Sequence, residues 1–239
     1  MNKILGVFAH PSDALIAVGG TLAKYVHAGR HAELVCAIND NGREKVFEHS
    51  ASLVGTKAIT FFDYDERTFA RLHAGEVEDK VYKEIAKFVP NIVLTFEMNG
   101  MTNNPDHMRI ARSTTFAFQK YAAEFERRFP DAPQPKLYYA CIPQSTVLYF
   151  QKARIFPKEA YGALLKGVED KEVTTTIDLS RFSRSKIRAL ETYEPHEFER
   201  ENFFFRKAMQ LFHHEYFVCR FDGMREVFMG RNDRVSNRL

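Results

Sequence analysis

The chain is expected to be an α/β protein, a Rossmann-like, doubly wound, mostly parallel sheet with helices on both faces and an elaborated carboxyl-terminal third. Three features point there. Apolar runs of strand length alternate with segments of helical spacing up to residue 142. The runs are near-continuous rather than alternating, as in strands buried on both faces. A polar cluster follows most of them, as where parallel strands open onto loops at their carboxyl ends.

Residues 3–9 form the first strand, with Ile4, Leu5, Val7 and Phe8. Beyond Asp13, Leu15, Val18, Leu22, Tyr25 and Val26 fall at helical spacing, and Gly29 stops that helix. The second strand, 33–38, ends in Asn39-Asp40-Asn41-Gly42-Arg43-Glu44. A helix over 45–54 is closed by Gly55, and a third strand, 58–62, leads into Asp63, Tyr64, Asp65 and Glu66. Val77, Val81, Ile85 and Phe88 mark a helix over 76–89, which Pro90 ends. Residues 91–96 are the fourth strand. Right-handed crossovers would bring Ser12, Asn39, Asp63 and Glu97 to one rim, where open α/β sheets place their ligands.

A loop then leads to a long helix ending near 129. Asn104 suits its N-cap, Pro105 its first position and Asp106 the positive end of its dipole. Taken alone, Asn-Pro-Asp is a good cap and nothing more. Residues 136–142 and 173–179 read as strands, 183–193 and 196–212 as helices, and 215–221 as a last strand. The region 143–171 is rich in aromatics, weakly periodic and unassigned. The simplest organisation is one domain over 1–239, with 224–239 a loose tail or an assembly element.

The net charge is only +3, and Arg225, Arg231, Arg234 and Arg238 near the carboxyl end supply the excess. No basic stripe runs along a helix, so nucleic acid is not an expected partner. No stretch approaches the ~20 apolar residues of a membrane helix, and the first apolar run is broken too early for a signal peptide. Cys36, Cys141 and Cys219 are far apart in apolar runs and read as buried hydrophobes in a reducing compartment. The cytoplasm is the expected location.

His10 and Asp13 sit three apart across the first strand-to-helix turn, and His107 at a later one. Imidazole and carboxylate donors suit Zn²⁺ or Fe²⁺, and two His with one carboxylate leave coordination positions open for water. By spacing alone the signal is weak, because H-x-x-D recurs by chance. A nucleotide-binding reading is poor, since the first turn lacks G-x-G-x-x-G.

Ala9-His10-Pro11-Ser12-Asp13, then Val18-Gly19-Gly20-Thr21-Leu22-Ala23, with Pro105-Asp106-His107 later, resembles the LmbE/PIG-L family of N-acetylglucosaminyl deacetylases. Asn41 to Glu44 lies where the family has a Gly-Glu loop, and Asp63-Tyr64-Asp65 where it has an Asp-rich turn. The resemblance implies His10, Asp13 and His107 as ligands of a divalent metal, Zn²⁺ with Fe²⁺ as the alternative. It implies a small amino-sugar substrate and assembly into trimers or hexamers. Arg43, Asp63, Asp65 and Glu97 on the rim are the expected substrate contacts, and Asp106 keeps a supporting or capping role.

The pattern departs at catalytic positions. Ser12 stands where the family has an aspartate acting as general base, Ala14 where it has a glutamate, and Asn104 where it has a histidine tied to the transition state. The motif resembling H-x-S-Q near Tyr193 to His196 is not preserved. A serine hydroxyl has no useful basicity near pH 7, and losing general-base help costs about 10²–10⁴-fold, which leaves a slow enzyme rather than none. Asn104 can still donate to an oxyanion but cannot supply a proton. Glu97, Asp40 or Asp65 could substitute through a water, or could be solvated loop carboxylates. Two readings stand: a metal-dependent deacetylase of an N-acylated amino sugar with a rewired or weakened base, or a pseudoenzyme of the same fold that binds a metal or sugar-like ligand or acts in a complex.

Overall fold

A computed structural model describes residues 3–39, 42–193, 213–228 and 235–239. The expected alternation is present: β1 (Lys3–Phe8), α1 (Pro11–His27), β2 (His31–Ile38), α2 (Glu44–Ser52), β3 (Ala58–Tyr64), α3 (Glu66–Phe69), α4 (Glu76–Phe88), β4 (Ile92–Phe96), α5 (Pro105–Arg128) and β5 (Lys136–Cys141). Then come α6 (Gln144–Lys152), a hairpin of β6 (Glu159–Ala160) and β7 (Ala163–Leu164), β8 (Thr175–Asp178), α7 (Ser183–Tyr193), β9 (His214–Asp222) and β10 (Arg225–Glu226).

The sheet runs β10-β9-β5-β4-β1-β2-β3, with β8 also pairing to β9. Strands β1 to β5 pair in parallel, whereas β9 is antiparallel to β5, β8 and β10. The chain therefore winds outward from β1 through β2 to β3, then returns to add β4 and β5 on the opposite side. The reversal lies between β1 and β4, and at such a switch point the loops after the two strands part and open a crevice. The central strands are buried almost throughout, from Ile4, Val7 and Phe8 to Val93 and Leu94.

Two expectations change. The unassigned 143–171 stretch is a small lobe with its own apolar cluster, Ile142, Val147, Phe150, Ile155, Phe156 and Leu165, against which Met101 packs. Its strands are two residues each, too short to show a period. The carboxyl-terminal tail is not loose where it is described: Arg225 and Glu226 pair with β9, Ser236 bridges to Thr175, and the Leu239 amide donates to the Tyr25 hydroxyl. Backbone pairing of so short a segment leaves no hydrophobic pattern to read. The helix expected over 196–212 lies outside the described residues, as does Asp40.

Candidate metal centre and its rim

Helix α1 begins at Pro11 with His10 as its N-cap in extended conformation, φ −114 and ψ 159. Asp13, in the first turn, accepts the His10 backbone N–H at 2.9 Å, satisfying one amide that the helix start would otherwise leave unpaired. The same Oδ2 lies 2.9 Å from His10 Nδ1 and 3.0 Å from His107 Nε2. Two imidazoles from opposite sides of the switch point thus converge on one buried carboxylate.

Helix α5 delivers His107. Asn104 caps it, its Oδ1 accepting the Asp106 N–H at 2.8 Å, and Pro105 opens the first turn. The His107 ring stacks on Phe96 at the end of β4, centroids 4.3 Å apart and planes 11° from parallel. Its Nδ1 meets the Gly100 carbonyl at 2.9 Å, so Nδ1–H donates there and Nε2 is the nitrogen turned to Asp13. Gly100 has φ +65, and a Cβ there would stand 2.5 Å from the His107 Cβ. A glycine is required for this close approach.

The other face of His10 meets carboxylates. Its Nε2, buried and without a hydrogen-bond partner among the described residues, is 3.6 Å from Asp106 Oδ2 and 3.8 Å from Glu66 Oε1. Burial alone would depress the His10 pKa, but Asp13 and Asp106 outweigh it and push it up to about 10. Burial likewise opposes ionisation of Asp13, and the charges of His107 and His10 prevail, holding it well below the usual carboxylate range.

Ligand atoms of His10, Asp13 and His107 all lie within 4.8 Å of one another. A second grouping, His10 with Glu66 and Asp106, meets the same limit but uses the far nitrogen of the shared imidazole and an exposed Glu66. The first set is the one whose donors better suit a cation: two nitrogens and one carboxylate, largely buried, one ring oriented by a backbone carbonyl and the other backed by a carboxylate. These donors fit a zinc-type ion.

The remaining expected residues divide. Ser12 occupies the second position of α1, beside the ligands, and Asp106 reaches His10. Asn104 caps α5, and its Nδ2 donates to the Tyr161 hydroxyl at 3.0 Å. The others are engaged elsewhere. Arg43 donates to the Tyr193 carbonyl and lies over that ring. Asp63 accepts from Asn39, and Asp65 caps α3 through the Arg67 N–H. Glu97 is buried, its two oxygens accepting the Asn99 and Met101 N–H at 2.6 and 2.8 Å. It shapes the loop that carries Gly100. Sequence reasoning did not single out Glu66, Gly100 or Tyr161. The Asp65 cap immediately before Glu66 was the available signal for the first; Tyr161 had none.

Residues 5–118 match a family model described as PIG-L, GlcNAc-PI de-N-acetylase. The chain is 25% identical, with 80% of each chain covered, to a 1D-myo-inositol 2-acetamido-2-deoxy-alpha-D-glucopyranoside deacetylase of Rhodococcus erythropolis. The same enzyme of Rhodococcus opacus is 27% identical, with 80% of each chain covered. Among solved structures, N,N'-diacetylchitobiose deacetylase from Pyrococcus horikoshii superposes with TM-score 0.62 at 18% identity, over 93% of this chain and 85% of that one. The 4-carboxy-2-hydroxymuconate hydratase of Pseudomonas putida superposes with TM-score 0.65 at 16% identity, over 95% and 100%. The fold therefore hosts more than one chemistry, and the site must decide between them.

Proposed function

We propose that the chain is a divergent member of the LmbE/PIG-L family, a metal-dependent N-deacetylase acting on a small N-acylated amino sugar or its conjugate, with a weakened general base. The observation that carries this reading is the convergence of His10, Asp13 and His107 at the switch point. A divalent ion held there, zinc or iron, would polarise the amide carbonyl and acidify water. The chain's own residues do the rest. Asp13 supplies the negative charge, the Gly100 carbonyl fixes the His107 tautomer, and Asp106 and Glu66 sit behind His10. The reaction adds water across the acyl C–N bond and releases a carboxylic acid and the free amine.

The base is weakened because Ser12 has no carboxylate and the two nearby acids face the far nitrogen of His10. Turnover is therefore slow, by up to about the 10²–10⁴-fold that a general base contributes. The expected setting is cytoplasmic, without nucleic-acid or membrane partners and with self-assembly into trimers or hexamers; no helix among the described residues is long and apolar enough to cross a membrane.

The test is amine release from N-acetylglucosamine conjugates by zinc-loaded protein. A chelator should abolish it, zinc should restore it, and Ser12→Asp should raise kcat. Ser12 also favours the second reading, a pseudoenzyme, for which native protein would be inert and only Ser12→Asp active. Ordinary turnover by metal-stripped native protein would defeat both.

A further inference from the structure

The sheet ends in two unlike edges. At one, β10 is only Arg225 and Glu226, both exposed and charged, and ion pairs tie Glu226 to Arg220 and Arg225 to Asp222. A short, charged strand of that kind resists pairing with another chain. At the other, β3 is seven residues long, AITFFDY, and closes the strand order with no neighbour beyond it among the described residues. It holds no proline, lysine or arginine, and its ladder with β2 is regular from Ala58 to Phe61, slipping only beyond.

The side chains repeat the contrast. Strand β4, IVLTF, is buried throughout, whereas Ile59, Phe61, Phe62 and Tyr64 of β3 are only half-buried. Helices nonetheless hold them. Phe61 meets Phe47 of α2, centroids 6.1 Å apart, and the Lys80 ammonium of α4 lies 5.6 and 4.1 Å from the Phe62 and Tyr64 rings. What stays open is the outer margin of the strand, an apolar edge of the kind that recruits another strand.

Charge supplies the pairing rule. Lys57, exposed, stands just before β3 and is in no ion pair among the described residues. Asp63, also exposed, stands near the far end of the strand, as many residues beyond Thr60 as Lys57 lies before it. An antiparallel copy brings the start of one strand to the end of the other, so lysine and aspartate would meet twice.

We propose that β3 pairs with β3 of a second copy of this chain, antiparallel about a two-fold axis at Thr60, so that the sheet continues through the dimer. In this register Thr60 faces Thr60, Ile59 faces Phe61, Ala58 faces Phe62 and Lys57 faces Asp63. Threonine pairs, aromatic pairs with β-branched residues and opposite charges are each favourable across antiparallel strands. A slip of two residues, centred on Phe61, would set Lys57 against Asp65, which already accepts the Arg67 N–H and lies 3.6 Å from its guanidinium. The contact is isologous and closes on itself, giving dimers, or hexamers where a three-fold contact exists elsewhere. It does not depend on the deacetylase reading.

The experiment is sedimentation velocity of the full chain over a concentration series, for native protein, Lys57→Asp, Asp63→Lys and an equimolar mixture of the two variants. Native protein should contain two or six copies. Each variant sets like charges opposite each other at both ends of the pairing, and should raise the dissociation constant of the two-fold contact at least about tenfold. The mixture should reassociate, because every cross-contact then joins opposite charges. Circular dichroism checks folding, and if Asp63→Lys fails at its φ of +56, Thr60→Lys takes its place as a dissociating variant, with like charges face to face at the axis. Native protein of one or three copies at every concentration would overturn the proposal. So would an even-numbered assembly that Lys57→Asp and Thr60→Lys leave intact, or folded charge variants whose mixture stays apart.

Discussion

Replacing Lys186 with methionine should cost the protein a large share of its stability, and the structure says why. Lys186 on α7 and Glu215 on β9 form an ion pair at 2.6 Å, each side chain 4% exposed. The carboxylate also accepts the backbone N–H of Gly20 and Thr21 in the middle of α1, at 2.9 and 2.8 Å. One buried acid thereby clamps together a strand and two helices, including the helix whose first turn carries His10 and Asp13. The Gly19-Gly20-Thr21 motif makes room for it: a Cβ on Gly20 would stand 2.5 Å from the Leu179 Cδ1, and one on Gly19 3.4 Å from the Lys186 Cγ. Burial depresses the Lys186 pKa and the Glu215 charge works against that loss, so the pair is stable only while both members are present. Removing one partner of such a pair costs about 3–5 kcal/mol. At ~2–4 °C per kcal/mol for a chain of this size, Tm should fall by about 6–20 °C. Lys186→Met with Glu215→Gln should cost less than the sum of the two single changes, since neither charge is then stranded. Thermal and urea unfolding followed by circular dichroism measure both. A Tm loss under about 2 °C for Lys186→Met would refute the reasoning.

Two further outcomes are expected. Gly100→Ala should weaken zinc binding about 10–100-fold, because it forces away the carbonyl that orients His107, and calorimetry would expose an unchanged affinity. For Glu97, burial raises the pKa above its ordinary 4.5, and the Asn99 and Met101 N–H donors only partly offset this. A raised carboxyl pKa stabilises the fold below 4.5, and that contribution is lost as pH rises through the folded-state value. Native protein should therefore lose stability relative to Glu97→Gln as pH climbs from about 4 to about 8, and a gap that does not change with pH would count against it.

The alternation of strands and helices was readable because parallel strands buried on both faces leave continuous apolar runs, as in 4–8 and 92–96. Spacing alone left His10 and His107 a weak pair, and the likeness of Pro105-Asp106-His107 to a family motif is what joined them; in the fold both follow strands that flank the switch point. What the sequence did not carry was side-chain direction. Arg43, Asp63, Asp65 and Glu97 have chemistry suited to a rim, yet each is turned to a cap, a loop or a neighbouring helix. Composition says nothing about which local N–H a carboxylate will prefer. Glu66 reaches His10, and Glu215 reaches Gly20, only through the winding of the whole sheet. The β6–β7 hairpin has too few residues to carry a period.

Most direct of all is a zinc titration of metal-free native protein beside His10→Ala, Asp13→Ala and His107→Ala, with metal content checked by elemental analysis. One ion per chain is expected in the native protein, with affinity falling at least about tenfold in each variant. No stoichiometric binding, or binding that His107→Ala leaves untouched, would contradict a centre shared across the switch point.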